Sequence, residues 1–416
     1  MNGFDAIPVG WRLMILAVLG FVAGGSANAV VDFLLRPYRS SSQNGGSGKV
    51  RRPSFPAYWG IVSHESFSLG RRLRYLAVAA GFAAVLPLLY WWEVEQCRHI
   101  LWEGPLPDRS ILYAVYTAHA LLAWLMLAAS LIDWDEQIIP DAIVVPGTLI
   151  GLTLAAWLPW SLLPDVVRPN LDSGFPFLVG PGRGGAYRFL TFASPRAFPD
   201  WAVGGTDWKP LVAALACWWF WCVALMPRTW YSRHGWRRAL KLALARLCRS
   251  RATYWLAGLG VVGSAAIAVV WRLDGLHWQG LFSSLIGMIA AFGITWIIRI
   301  VFSLVLDREA MGFGDVTLMG MIGAFLGWQA SLMAFFVAPF FGLALGLVIL
   351  IATRDHRIPY GPFLCLGAAT VVVFWAGIWS GTVSWFALGP ILILLLVTCI
   401  VGSAFILLLW RFLRGA

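Results

Sequence analysis

The sequence predicts an all-α, polytopic integral membrane protein of about 9–11 transmembrane helices, and three observations carry that expectation. Hydrophobic residues make up 60% of the 416-residue chain and charged residues 12%, with a mean hydropathy of +0.75, a balance suited to lipid as the main solvent. The apolar residues gather into runs near 12–35, 74–92, 111–132, 142–159, 209–226, 253–271, 280–306, 331–352, 363–381 and 385–412, with a shorter run after Asp315. A helix needs about 20 such residues to cross the hydrocarbon core. The net charge of +11 is concentrated in polar stretches between the runs.

Taken in order, residues 1–35 form a first helix, read as retained because no small-residue cleavage site follows it. Residues 36–74 are a basic loop with eight Lys or Arg against one acid, Glu65, and residues 227–251 are a second with eight against none. The positive-inside rule places both in the cytoplasm, where anionic lipid head groups are their expected partners. Nucleic acid is not expected, because no soluble domain with interleaved aromatics accompanies the charge. Residues 75–158 hold further helices and a first distinctive aspartate, Asp133. Residues 159–210 carry eight prolines and seven glycines and read as an irregular periplasmic loop. Residues 211–416 return to helices and hold a second aspartate, Asp315, in Gly312-Phe313-Gly314-Asp315. Threading the runs from the basic loops brings both aspartates to the cytoplasmic face. The six cysteines show no Cys-x-x-Cys spacing, so neither a disulfide framework nor a zinc ribbon is indicated, and no metal or cofactor is expected.

Acidic side chains against hydrocarbon cost roughly 2.5 to 3.5 kcal/mol at the bilayer centre and usually persist for function. In Asp133-Trp134-Asp135-Glu136-Gln137-Ile138-Ile139-Pro140-Asp141, Pro140 lacks an amide hydrogen and forces the residue before it out of helical geometry, so the chain turns there and Asp133 is fixed at a helix end. Asp141 opens the next helix, where the helix dipole favours an acid. Asp135 and Glu136 read as interfacial solvation. Gly312 and Gly314 allow another backbone to approach Asp315 closely. Two aspartates sharing one proton provide a base for water and an acid for the leaving group together, the requirement for aspartic proteolysis.

These strings, together with Ile358-Pro359-Tyr360-Gly361-Pro362-Phe363 and Gly25-Ser26-Ala27-Asn28, occur in order over residues 25–363 and resemble the type IV prepilin peptidase family. The resemblance implies a multi-pass inner-membrane aspartic endopeptidase that removes the leader of type IV prepilins or type II secretion pseudopilins. It maps the catalytic pair onto Asp133 and Asp315, with Gly312, Gly314, Pro140, Asp141 and Asn28 shaping the site. A basic leader would suit the acids at 133, 135, 136, 141, 307, 309 and 315. The chain departs from the family in having no cysteine in 36–74, where bacterial members carry two Cys-x-x-Cys pairs. That argues against a zinc-stapled loop and against the methylation by S-adenosylmethionine that many members also perform. Thr317 stands where the family generally has lysine.

Other readings use the same residues. A serine protease built on Ser26 and His119 would place them about 9 Å apart in depth. His64-Glu65-Ser66-Phe67-Ser68 lacks the second histidine of a zinc protease helix. A presenilin-like protease shares Gly-x-Gly-Asp but not the accompanying motifs. A transporter or channel would hold its acids on broken helices near the bilayer midplane.

Overall fold

A chain surrounded by hydrocarbon must satisfy its backbone hydrogen bonds internally, and the helix does so within one segment. The computed structural model describes residues 4–42, 58, 69–100, 107–165, 188–205, 207–226, 251–353 and 359–413. Most of the expected basic loops 36–74 and 227–251, the middle of 159–210, and Ile358 lie outside the described residues. The helices are α1 (Val9–Ser42), α2 (Leu69–Tyr90), α3 (Arg109–Glu136), α4 (Asp141–Trp157), α5 (Trp208–Ala224), α6 (Arg251–Leu273), α7 (Gly275–Leu306), α8 (Phe313–Thr353), α9 (Gly361–Val373), α10 (Trp375–Ala387) and α11 (Pro390–Leu413). Among the described residues the β-structure is one isolated bridge, Pro164 with Phe189.

By length and composition, seven helices can cross a membrane among the described residues, or eight if the bent α9–α10 pair counts as one. The shorter apolar helices α4 and α5 add to these. The protein is therefore all-α and polytopic, as its composition predicts. Its outward surface is apolar, with Trp255, Phe340 and Phe412 among the large exposed side chains. The interior gathers Leu122, Ile132, Val144, Leu318, Ile322 and Leu364 at the junction of α3, α4, α8 and α9.

The span after Asp315 is a hairpin. Gly314 packs on Ile139, and Gly342 packs on Phe363, two residues beyond Gly361, which also touches Ile139. A straight helix would hold residues 314 and 342 about 42 Å apart. The reversal falls at Gly327, whose φ of 80° and ψ of 170° lie outside the range open to other residues. The sequence reading of a short segment after Asp315 followed by a separate run at 331–352 matches these two arms.

Two other elements differ from expectation. The run read as 363–381 breaks at Phe374, where α9 and α10 meet at 93°. The break lacks the usual Pro or Gly; instead the indole of Trp92 donates to the Val373 carbonyl at 2.8 Å, satisfying a group the helix no longer uses. The described ends of 159–210 do not behave as a free loop. Leu162, Leu163, Phe189 and Leu190 are buried. Trp328 donates to the Phe192 carbonyl, Gln329 to that of Thr191 and Trp375 to that of Pro164, at 2.8, 2.8 and 2.7 Å. Indole and amide donors from α8 and α10 thus allow Pro- and Gly-rich backbone to be buried over the tip of the α8 hairpin.

Candidate functional site

Asp133 occupies the last turn of α3. The helix stops because Gln137 takes left-handed geometry, its amide donating to the Asp133 carbonyl at 2.9 Å, and Pro140 then starts α4 from an extended conformation. The Asp133 side chain is 6% exposed, and its Oδ2 accepts a hydrogen bond from the Gly361 amide at 3.0 Å. A β-carbon on residue 361 would stand 2.6 Å from that oxygen, so the approach requires glycine.

Asp315, in the first turn of α8, is 7% exposed, and its Oδ2 lies against Gly312. Gly314 backs onto Ile139, where a β-carbon would come 2.8 Å from the isoleucine Cβ. Ile139 therefore forms a shared wall, touching Gly314 on one side and Gly361 on the other. The two carboxyls are close enough for the charge of Asp133 to act on Asp315. Among the described residues neither is ion-paired, and no cluster of three His, Cys, Asp or Glu is arranged to hold a metal. Beside them, burial and then the charge of Asp315 push the Tyr360 phenol up to about 12, leaving a neutral hydroxyl at the rim. Tyr360 and Gly361 thus join the candidate site, two residues that the sequence ties to it only through the family resemblance of their string. The Pro359-Tyr360-Gly361-Pro362 stretch is the signal that could have found them.

The remaining expected residues divide. Pro140 and Gly312 adjoin the pair, and Asp141 is an exposed acid in the first turn of α4. Asn28 is buried elsewhere: its amide nitrogen donates to the carbonyls of Tyr58 at 3.0 Å and Tyr75 at 3.1 Å, fastening α1 to the start of α2. Asp135 is held by Arg74 in a two-pronged ion pair of 2.5 and 2.9 Å. Thr317 is fully buried, with its hydroxyl donating to the Gly314 carbonyl at 2.9 Å. Ser26 donates to Ala23 and accepts from Trp124, while His119 pairs with Glu93 at 2.6 Å, so these two do not form a serine protease couple. Glu93 comes from a π-helical turn, Trp91–Glu95, that periodicity did not foresee.

Residues 245–347, which include Asp315, match the model of the Type IV leader peptidase family. A protein of Burkholderia pseudomallei named prepilin leader peptidase/N-methyltransferase is 34% identical over 118 residues, 27% of this chain and 38% of the relative. Proteins of the same name from Aeromonas hydrophila and Pseudomonas aeruginosa are each 31% identical, over 95 residues (22% of this chain, 32% of theirs) and 100 residues (23% and 33%). The chain thus spans roughly a third of the length of the curated relatives it matches. No solved structure matches it. Over residues 245–347, which hold Asp315, the chain is thus similar to the type IV leader peptidase family, and residues 36–74 contain no cysteine.

Proposed function

We propose that the chain is an aspartic endopeptidase that cleaves the leader of type IV prepilins or type II secretion pseudopilins at the cytoplasmic face of the inner membrane. The observation that carries the reading is that Asp133 and Asp315, both buried and not ion-paired among the described residues, flank Ile139, which touches Gly361 beside the one and Gly314 beside the other. Two such carboxyls hold one proton between them: the ionised one takes a proton from water, and the protonated one donates to the carbonyl oxygen or leaving amine. Glycines at 314 and 361 let the backbone close on Ile139 and on the Asp133 carboxyl, which supports a built site. The basic segments support a cytoplasmic placement and contact with anionic lipid. Without the cysteines of its relatives, the protein cleaves and does not methylate.

Incubation of the purified protein in detergent with a prepilin tests this. The expected product is a shortened pilin with an unmodified N-terminus; no shortening would refute the protease, and a gain of about 14 Da at the new N-terminus would refute the cleavage-only reading. For orientation, single cysteines at positions 135 and 312 should resist an impermeant thiol reagent added outside intact cells, and labelling there would invert the topology.

A further inference from the structure

Arg299 is the only Lys, Arg, Asp or Glu in the 32 residues of α7. Its side chain is 13% exposed, in a helix whose other side chains are uncharged and mostly apolar, and a cation in that setting calls for a reason. Its donors converge on the segment leading into Asp315. Nε donates to the Met311 carbonyl at 2.8 Å, Nη2 pairs with Glu309, and Cζ lies 5.9 Å from the centre of the Phe313 ring. One turn further along α7, the Ser303 hydroxyl accepts from the Ala310 amide at 3.1 Å. The Phe313 ring packs edge-on against Phe292 and Trp296, also on α7, at 6.0 and 6.4 Å. On its other side the segment ends at Gly314, pressed on Ile139 beside Asp133.

The carboxylate of Glu309 is 64% exposed, and such a pair contributes little. The bond to the Met311 main chain is therefore what the buried guanidinium accomplishes, and a planar fork can make it while also facing Glu309 and Phe313.

We propose that Arg299 is a positioning residue, gripping residues 309–313 against α7 so that Asp315 is presented to Asp133. This rests on the reading of the two aspartates as the proteolytic pair. Misplacing a catalytic group by about 1 Å costs about a hundredfold in rate. Arg299→Gln in the full-length protein should lower kcat about 10- to 100-fold with KM within about threefold of wild type. Arg299→Lys, which keeps one donor and the charge, should recover part of that loss. Hydrogen–deuterium exchange, read independently of cleavage, should quicken in Arg299→Gln over residues 307–313 and not across the rest of α8. Wild-type kcat in Arg299→Gln, or unchanged exchange in that segment, would overturn the proposal. If Arg299→Gln does not fold, Arg299→Lys decides alone: lowered kcat with unchanged KM supports the grip, and wild-type kcat overturns it. A wild-type protein that fails to cleave while the exchange effect appears would count against the protease reading and leave the grip standing.

Discussion

The two ends of the bundle treat carboxylates in opposite ways. At the end where α2 meets the start of α3, Glu95 accepts from Arg12 at 2.7 Å and Asp5 from Arg109 at 2.9 Å, with Tyr90 and Tyr113 completing the network. The hydrogen bond from Tyr113, followed by Arg109, holds the Asp5 carboxyl below its usual value against the opposing effect of burial. At the other end Asp133 and Asp315 are buried, yet Asp133 accepts from the Gly361 backbone amide and neither is ion-paired among the described residues. A compensated carboxylate fixes structure, and an uncompensated pair stays free to exchange a proton.

The largest expected effect follows from that contrast. Asp133→Asn and Asp315→Asn should each lower cleavage of a prepilin by at least about 10³-fold while leaving the melting temperature near wild type, since each removes a proton-exchanging group and keeps the volume. Glu95→Gln should do the reverse, destabilising by about 3 kcal/mol through the stranded Arg12 while retaining cleavage. Activity surviving in either aspartate variant would erase the distinction between the ends. Next in size is Gly361→Ala, whose new methyl would stand 2.6 Å from Asp133 Oδ2. The carboxylate must move, and kcat should fall about 10²-fold with a small change in KM; a kinetic assay showing a change confined to KM would mean that Gly361 shapes substrate binding instead.

Much of this was legible in the letters, for identifiable reasons. Pro140 announces the turn that stops α3, and the glycines of 312–315 announce a close approach, because both act through local backbone geometry. The lipid-facing helices follow from hydropathy alone. What could not be read were long-range pairings. That Gly361 supplies the donor for Asp133 depends on a contact across 228 positions. The burial of Leu163 and Leu190 depends on donors from Trp375, Trp328 and Gln329, far along the chain. Asn28 reads as a site residue beside its motif, but its amide is used to join α1 to Tyr75.

A middle-sized effect is expected from pH at the charge-compensated end. His99 is fully buried, and among the described residues neither ring nitrogen has a partner; burial pushes it down to about 4 from an ordinary 6.5, with the charge of Glu93 opposing. The folded state thus holds a neutral ring where the unfolded chain would protonate. Stability is fully present above about pH 6.5 and falls as pH drops toward 4, by roughly 3 kcal/mol in total at about 1.4 kcal/mol per pH unit. Thermal midpoints measured from pH 7 to 4.5 should decline more steeply in the wild type than in His99→Phe. Parallel curves would show that the ring is hydrated and titrates normally.

The smallest effect is the most discriminating, because it lies two residues from Asp133. Asp135 shares the same turn of α3 but is paired with Arg74, whose side chain is 36% exposed. If position at this end of the bundle were what makes a carboxylate catalytic, Asp135→Asn should behave like Asp133→Asn. If pairing decides, it should behave like an ordinary half-exposed ion pair: cleavage stays within about threefold of wild type, and a double-mutant cycle with Arg74→Gln gives a coupling of about 0.5–1 kcal/mol that shrinks in high salt. The bidentate geometry, 2.5 and 2.9 Å, favours the upper part of that range. A coupling near zero with cleavage lost in Asp135→Asn would assign the chemistry to this turn as a whole, and compensation by cations would no longer separate structural from reactive acids in this protein.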